Sequence, residues 1–130
     1  MSEQRKMLDE SFEKSVNNPN RTIDPAELEA YRSVYQRMVE AIEASEVQFD
    51  ECRVGISKSR QWVSIEISKN GVTMDLTQPI DNGPDDPTFF SVWHNRILLI
   101  SNKGKIAELL NDFTEAVKIA STEEEKHETI

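Results

Sequence analysis

The stretch Thr88–Ala120, TFFSVWHNRILLISNKGKIAELLNDFTEAVKIA, decides the fold, because its densest apolar run passes directly into the best amphipathic helix of the chain. The residues on either side of His94-Asn95 predict two short strands that meet at a tight turn, with a single long strand as the alternative. If His94-Asn95 is the two-residue loop, Val92 faces Ile97. The core of the protein is therefore expected to be built from this hairpin and the helix after it.

The predicted hairpin is apolar on both of its faces. The same loop places Phe90 opposite Leu99 on one face and Phe89 opposite Ile100 on the other. A strand pair that is apolar on both faces is normally covered on both. We therefore expect this hairpin to lie at the centre of its sheet or to form part of a dimer contact.

A helix is predicted directly after the hairpin, with Ser101 or Asn102 as its N-cap. Its apolar residues recur at the three- and four-residue steps of a buried stripe: Ile106, Leu109, Leu110, Phe113, Val117 and Ala120. This stripe is expected to pack on the sheet. Residues 121–130 are charged and lack core-forming side chains, so they are predicted to form a disordered acidic tail.

Two further helices are predicted at the start of the chain. Residues 2–16 carry only a thin apolar stripe, so their helix is marginal and needs a surface to lean on, such as a partner or a second subunit. After a breaker at residues 17–20, Asp24 is the expected N-cap and Pro25 the first residue of a helix that runs to about Ala44. Its predicted buried seam is Leu28, Tyr31, Tyr35, Met38 and Ile42. We assign residues 1–20 to the marginal helix and breaker, and residues 21–120 to one α+β domain.

Alternating patterns fill the middle of the chain. Residues 47–56 alternate with a phase slip near Asp50-Glu51, which predicts a bulge or short turn. Asn70-Gly71 then separates two alternating runs, and this dipeptide is the strongest short hairpin signal, because both residues accept the positive φ of a type I′ turn. Counted outward from that turn, Ile67 faces Met74 and Ile65 faces Leu76 on the core side, while Ser68 faces Thr73 and Glu66 faces Asp75 on the other.

The segment Thr77–Pro87 is rich in proline and aspartate, so it predicts an irregular, solvated, acidic loop. The element order is then helix, helix, about five antiparallel strands and a C-terminal helix packed on the sheet. This order is typical of the α+β class, with the helices on one sheet face or divided between both.

Composition and charge narrow the classes of partner. A net charge of −9 and a pI near 4.7 argue against direct binding of nucleic acid or an anionic membrane, and favour a basic protein partner. The single cysteine, Cys52, excludes an intramolecular disulfide, and no apolar segment approaches the length of a membrane span. We expect a cytoplasmic protein with no cofactor.

Acidic residues supply the main candidates for chemistry. Glu66 opposite Asp75 is consistent with a cation site or a contact for Arg or Lys, although a solvated sheet face is the preferred interpretation. The loop residues Asp81, Asp85 and Asp86 lack the regular ligand spacing of an EF-hand.

The other candidates are weaker still. The two histidines, His94 and His127, make a poor metal pair because one is in a predicted turn and the other in the tail. Cys52 lies beside two acidic residues and is interpreted as a small core or edge residue. The segment from Ser101 to Lys105 resembles an anion-binding helix start but lacks the glycine spacing of a P-loop.

Trp62 is predicted to lie on the polar side of its strand, together with Ser64 and Glu66. Large aromatic residues on polar faces are common interface anchors, and cover by one of the first two helices is the alternative.

We therefore expect a non-enzymatic interaction module, an adaptor that resembles an inhibitor, an immunity protein or a chaperone. A homodimer is a possible form of this module. Its binding residues would be Trp62, Glu66, Asp75, Asp81, Asp85 and Asp86. The alternatives are a divalent-metal enzyme using Glu66, Asp75 and the aspartate loop, and a small-anion or nucleotide binder at the start of the C-terminal helix.

Overall fold

The computed structural model describes residues 2–81, 88–95 and 97–128, apart from the side chains of residues 99–102 and 122–128. These ranges contain three helices and one five-stranded antiparallel sheet, so the predicted α+β class is confirmed. The elements are α1 (Glu3–Val16), α2 (Pro25–Ala44), β1 (Glu51–Ser57), β2 (Trp62–Lys69), β3 (Val72–Pro79), β4 (Thr88–His94), β5 (Ile97–Gly104) and α3 (Ile106–Glu128). The strands lie in sequence order, β1-β2-β3-β4-β5, so each one pairs with its neighbours along the chain.

The helices cover one face of the sheet and one of its edges. Helix α2 contacts β2, helix α3 contacts β3 and β4, and helix α1 lies along β1. The strands bury alternate side chains beneath the helices: Val54, Ile56, Val63, Ile65, Ile67, Val72, Met74, Leu76, Phe90 and Val92. The other sheet face carries the remaining half of each alternating pattern and lies under none of the three described helices.

Helix α1 finds the surface it needs within its own chain. Its Leu8 and Phe12 are buried, and the Phe12 ring stacks on the Tyr35 ring of α2 with the two centroids 4.2 Å apart. The Ser11 and Ser15 hydroxyls accept hydrogen bonds from backbone N–H groups of β1. These contacts order a helix of weak intrinsic stability without a second subunit.

Helix α2 begins where the sequence predicted. The Asp24 carboxylate accepts a hydrogen bond from the Glu27 backbone N–H at 2.9 Å, and Pro25 is the first helical residue. The helix ends at Ala44. Its buried residues are Tyr31, Val34, Tyr35, Met38, Val39 and Ile42, which include four of the five predicted seam positions, while Leu28 is half-buried.

The β2–β3 hairpin also matches its prediction. Asn70 and Gly71 both have positive φ, 53° and 80°, as a type I′ turn requires. The pairs formed across the hairpin are those counted from the turn: Ile67 with Met74, Ile65 with Leu76, Ser68 with Thr73 and Glu66 with Asp75.

The β4–β5 hairpin differs from its prediction in register and position. His94 pairs with Ile97, so the turn lies one residue later than predicted, with Asn95 at a φ of 49°. A bulge then shifts the register, and Val92 pairs with Ile100. The hairpin forms an edge of the sheet and not its centre, because β5 pairs on one side alone in the described structure.

The strand β5 is longer than predicted and displaces the predicted helix cap. Its pairing with β4 continues to Gly104, opposite Thr88, so Ser101 and Asn102 are strand residues and the prediction of an N-cap there is wrong. Backbone hydrogen bonds to β4 replace the cap as the partners of this segment. Helix α3 begins after Lys105, whose carbonyl accepts from the Glu108 and Leu109 N–H groups.

Two further element boundaries also lie later in the chain than predicted. Strand β3 extends to Pro79, which pairs with Trp62, so the loop begins later than the predicted Thr77. Helix α3 continues to Glu128, past the predicted start of a disordered tail at Ser121, because the added residues include no proline or glycine to end it.

Candidate binding surface

The sheet face opposite the helices carries three of the predicted site residues, Trp62, Glu66 and Asp75. We call it the outer face and define it by these outward positions of the five strands: Arg53, Gly55, Trp62, Ser64, Glu66, Ser68, Thr73, Asp75, Thr77, Phe89, Ser91, Trp93, Leu98 and Lys103. Strand pairing sets these residues in rows that run across the sheet. The row through the centre holds Arg53, Glu66, Asp75 and Ser91.

The carboxylates of Glu66 and Asp75 lie on directly opposed residues at the middle of the outer face. Both side chains are half-buried. Burial raises the pKa of Asp75 above its ordinary 3.8, the Thr77 hydroxyl opposes this by donating a hydrogen bond to the carboxylate, and the nearby Glu66 charge raises the pKa further. The sequence favoured a solvated sheet face for Glu66 and Asp75. The structure shows that Asp75 is more buried than this interpretation implies.

Hydroxyl groups hold the strands in place around this pair. The Ser64 and Thr77 hydroxyls lie 2.9 Å apart across β2 and β3, and those of Ser68 and Thr73 are also 2.9 Å apart. The Thr77 hydroxyl donates to the Asp75 carboxylate at 3.3 Å. Cross-strand hydroxyl pairs of this kind stabilise a sheet, so they hold in place the two strands that carry the carboxylates.

Apolar side chains flank the carboxylates on β4 and β5. Phe89 is 49% exposed, Trp93 37% and Leu98 47%, although each is large and apolar. The Trp93 indole N–H donates to the Ser91 hydroxyl at 3.0 Å, which holds the ring across the sheet surface. Sequence reasoning missed this part of the surface because it treated the hairpin as covered on both faces. The signal was the single polar residue, Ser91, between Phe89 and Trp93.

A shallow depression connects the acidic and aromatic parts of the outer face. It has a volume of about 210 Å³ and is lined by Asp75, Thr77, Phe89, Phe90 and Ser91. A carboxylate and an aromatic ring that line the same depression form a suitable environment for a guanidinium or ammonium group. Such a cation gains a charged hydrogen bond from the carboxylate and an attraction to the ring.

Trp62 lies on the outer face at its other end. It pairs with Ser57 and Pro79, and the Arg60 guanidinium stacks over its ring at 5.0 Å from the centroid. Trp62 is half-buried and on the side opposite Val63 and Ile65, as the alternation predicted. Its cover comes in part from Arg60, a flexible side chain, and Trp62 makes no part of the buried core.

Of the three remaining predicted binding residues the structure describes Asp81, which is not brought to the Glu66–Asp75 pair. Asp81 is exposed just after β3, where the Ile80 N–H donates to the Gln61 carbonyl at the Trp62 end of the sheet. Asp85 and Asp86 lie outside the described residues. The predicted acidic loop therefore adds one described carboxylate, Asp81, near the edge of the outer face.

The weaker candidates for chemistry take structural positions. Cys52 packs against the core from β1, and burial raises the pKa of its thiol, which disfavours the reactive thiolate. His94 ends β4 beside Asn95. Among the residues that the structure describes, no three His, Cys, Asp or Glu side chains are grouped to hold a metal ion.

The predicted anion-binding loop at the start of the C-terminal helix is also revised. Residues 101–104 belong to β5, so Lys105 alone separates the strand from the helix. A phosphate loop needs several free backbone N–H groups before the helix, and a strand paired to Gly104 does not leave that length of loop. The loop predicted between Ser101 and Lys105 is therefore mostly strand, while Lys103 and Lys105 still lie next to the start of α3.

No described helix is long and apolar enough to cross a membrane. Comparisons of this chain with protein-family models, with curated proteins and with solved structures find no match.

Proposed function

We propose that this protein is a non-enzymatic interaction module that binds a basic protein partner through the outer face of its sheet. The observation that carries the proposal is the Asp75 depression, where a half-buried carboxylate lies beside the exposed ring of Phe89. Exposed aromatic side chains do not stabilise a sheet face that contacts only water. The cores of protein interfaces, in contrast, are enriched in aromatic side chains.

The chemistry of the depression favours a cationic side chain as its occupant. An arginine guanidinium that enters it would meet the Asp75 carboxylate and the Phe89 ring together. Its charge would also relieve the repulsion between Glu66 and Asp75, which the free protein carries at its centre. Binding thus removes an unfavourable interaction of the free protein as well as adding a favourable one.

The charge of the whole molecule supports the same class of partner. The net charge of −9 attracts a basic protein over a distance of about 8–10 Å at physiological salt. Many of the acidic residues lie on the helices, as with Glu40, Glu108 and Asp112, and not on the outer face. We therefore assign the long-range attraction to the whole chain and the specific recognition to the Glu66–Asp75 pair and its aromatic neighbours.

Affinity capture tests the proposal. The immobilised protein is incubated with lysate of its native host at low salt, and proteins that elute as salt rises are identified. A basic protein is expected. Its affinity for Trp62→Ala and Phe89→Ala is then measured by calorimetry, and each substitution should weaken binding by about 2 kcal/mol, the scale of an aromatic interface anchor.

The matched control is Ile119→Ala. Ile119 is an exposed apolar residue of α3, on the helical side of the protein and away from the outer face. This variant should bind the isolated partner like the wild-type protein. Unchanged affinity of both Trp62→Ala and Phe89→Ala, with intact folding by circular dichroism, would show that the partner uses another surface.

A defined probe tests the depression itself. Tetra-arginine peptide is titrated into isotope-labelled protein, and backbone amide shifts are followed by NMR. The largest shifts are expected around Asp75, Thr77 and Ser91, and they should disappear in Asp75→Asn. Shifts spread over the acidic helices with none at the depression would mean that the peptide senses net charge alone.

A further inference from the structure

The two edge strands of the sheet, β1 and β5, differ in how their free backbone groups are covered. Along β1, the Gln4 side chain and the Ser11 and Ser15 hydroxyls of α1 accept hydrogen bonds from backbone N–H groups of Phe49, Val54 and Ile56. These groups would otherwise be open to another strand. Among the described residues, no element runs along the free edge of β5. Within the described part of the chain, one edge is therefore covered and the other is open.

The open edge lacks some of the features that keep edge strands apart. Strand β5 has eight residues, with no proline, no acidic residue and a single charged one, Lys103. At its start, Ile97 is 66% exposed and Leu98 is nearly half exposed. Natural proteins usually protect a long apolar edge with charges, prolines, bulges or a covering element, and β5 has two of these features, Lys103 and the bulge near Leu98.

We propose that β5 is a dimer interface, at which the β5 strands of two copies of this chain pair antiparallel about a two-fold axis. The pairing would join two five-stranded sheets into one continuous sheet of ten strands. This inference is independent of the proposed function, because it uses the strand edge and not the Glu66–Asp75 pair.

Charge selects a second copy as the occupant. Two molecules of net charge −9 repel each other through most of their surfaces, and all three helices carry exposed carboxylates. The β5 strand carries none. Two copies therefore meet with the least repulsion at this edge, and an identical partner strand needs no further complementarity, since a two-fold interface uses the same patch on both subunits.

The register of β5 is compatible with such a two-fold axis. Leu98 and Lys103 pair with Trp93 and Phe89, so both belong to the outer face, and Ser101 pairs with Ser91 between them. An axis through Ser101, perpendicular to the sheet, places Ser101 opposite its copy and Leu98 opposite Gly104 of the second copy, beside Lys103. The aliphatic part of each lysine then covers an exposed leucine, and the two lysines do not face each other.

The affinity of this dimer is expected to be moderate. Pairing of two edges buries less surface than the roughly 1,600 Å² of a standard interface. We expect a dissociation constant in roughly the micromolar range, so that monomer and dimer exchange with concentration.

Sedimentation velocity of the full chain tests the proposal, over about 1 to 500 µM. The wild-type protein should shift from monomer to dimer in this range. Leu98→Lys sets a second lysine beside Lys103 of the other copy at each end of the paired strands, and should weaken the dimer at least tenfold. Ile119→Lys makes the same change at an exposed apolar site on α3 and should leave the dimer unchanged. A wild-type protein that stays monomeric throughout, or a dimer equally stable in Leu98→Lys, would overturn the proposal.

A cross-link tests the axis. Directly opposed residues of antiparallel strands have Cα atoms about 4.5–5.5 Å apart, within reach of a disulfide. In a Cys52→Ala background, Ser101→Cys should form a covalent dimer on mild oxidation, whereas Asn111→Cys on the exposed side of α3 should not. Equal cross-linking of both variants, or none by Ser101→Cys, would show that the β5 strands do not meet at this residue.

Discussion

The Ser11 hydroxyl of α1 accepts a hydrogen bond from the Val54 backbone N–H at 2.7 Å, across the free edge of β1. This contact lets a side chain of a helix take the place that a sixth strand would occupy. The N-terminal helix thus has two roles in the fold, since its Leu8 and Phe12 also fill the core beneath the sheet. An apolar stripe too thin for an independent helix is enough when hydroxyls add hydrogen bonds to the same contact.

We predict that Ser11→Ala destabilises the protein by about 1–2 kcal/mol, because it leaves the Val54 N–H without its acceptor at a partly buried position. Urea unfolding measures the free energy, and hydrogen exchange of the Val54 amide should become faster. Ser33→Ala, at an exposed position of α2, is the control and should change the free energy of unfolding by less than about 0.5 kcal/mol. Equal stabilities of the two variants would mean that α1 does not protect this edge.

We predict that Gly71→Val destabilises the fold by on the order of 1 kcal/mol or more. Gly71 has a φ of 80°, which a β-branched residue adopts only with strain, and a Cβ atom there would lie 2.6 Å from the Asn95 side-chain oxygen. Gly55→Val is the matched control, since a Cβ atom at Gly55 meets nothing within 4 Å and valine suits a strand. Thermal unfolding compares the two. An unchanged melting temperature in Gly71→Val would refute the turn.

The contrast between the two hairpins explains how far the sequence predicts the fold. Asn70-Gly71 admits one turn type, so it determines every pair between β2 and β3. Near His94 and Asn95 no such signal exists, and the apolar run after them suits either strand phase. The bulge that shifts Val92 onto Ile100 was therefore not predictable, because both registers would place apolar side chains inside.

The sequence likewise predicts one part of the candidate site and not the other. Alternation predicted that Trp62, Glu66 and Asp75 share one face, since a paired strand admits two directions for a side chain. It did not predict that Phe89 and Trp93 are exposed on that face. The sequence does not show whether an apolar residue of a strand is covered by a helix or exposed to water. Whether an element covers it depends on packing between parts of the chain that sequence patterns do not relate.

We predict that Asp75→Asn makes the protein more stable at pH 7, by up to about 1 kcal/mol once solvent screening is allowed for. The pKa of Asp75 is raised by burial, so the folded state holds the proton more tightly than the unfolded state. Wild-type stability from this group is therefore greatest at low pH and falls as pH rises from 3.8 through the raised pKa. Asparagine removes that loss.

Urea unfolding from pH 3 to pH 7 measures this difference. The advantage of Asp75→Asn should be present above the window and decrease to a pH-independent offset below it. Asp81→Asn, at an exposed aspartate after β3, is the control for the loss of one negative charge. An Asp75→Asn curve parallel to that of the wild-type protein would contradict the burial of this carboxylate.

The last prediction separates the local charges of the outer face from the charge of the whole chain. Replacing Glu66 and Asp75 by lysine raises the net charge by four, from −9 to −5, and so does replacing Glu108 and Glu115 on α3. Both double variants lose the same long-range attraction for a basic partner. If recognition depends on the outer face, the first should lose at least tenfold more affinity than the second, and its association should depend less steeply on salt. Surface plasmon resonance with the captured partner at several salt concentrations measures both quantities, after near-ultraviolet circular dichroism shows that each variant is folded. Equal losses in the two variants would mean that the partner responds to net charge, and the outer face would then have no specific part in binding.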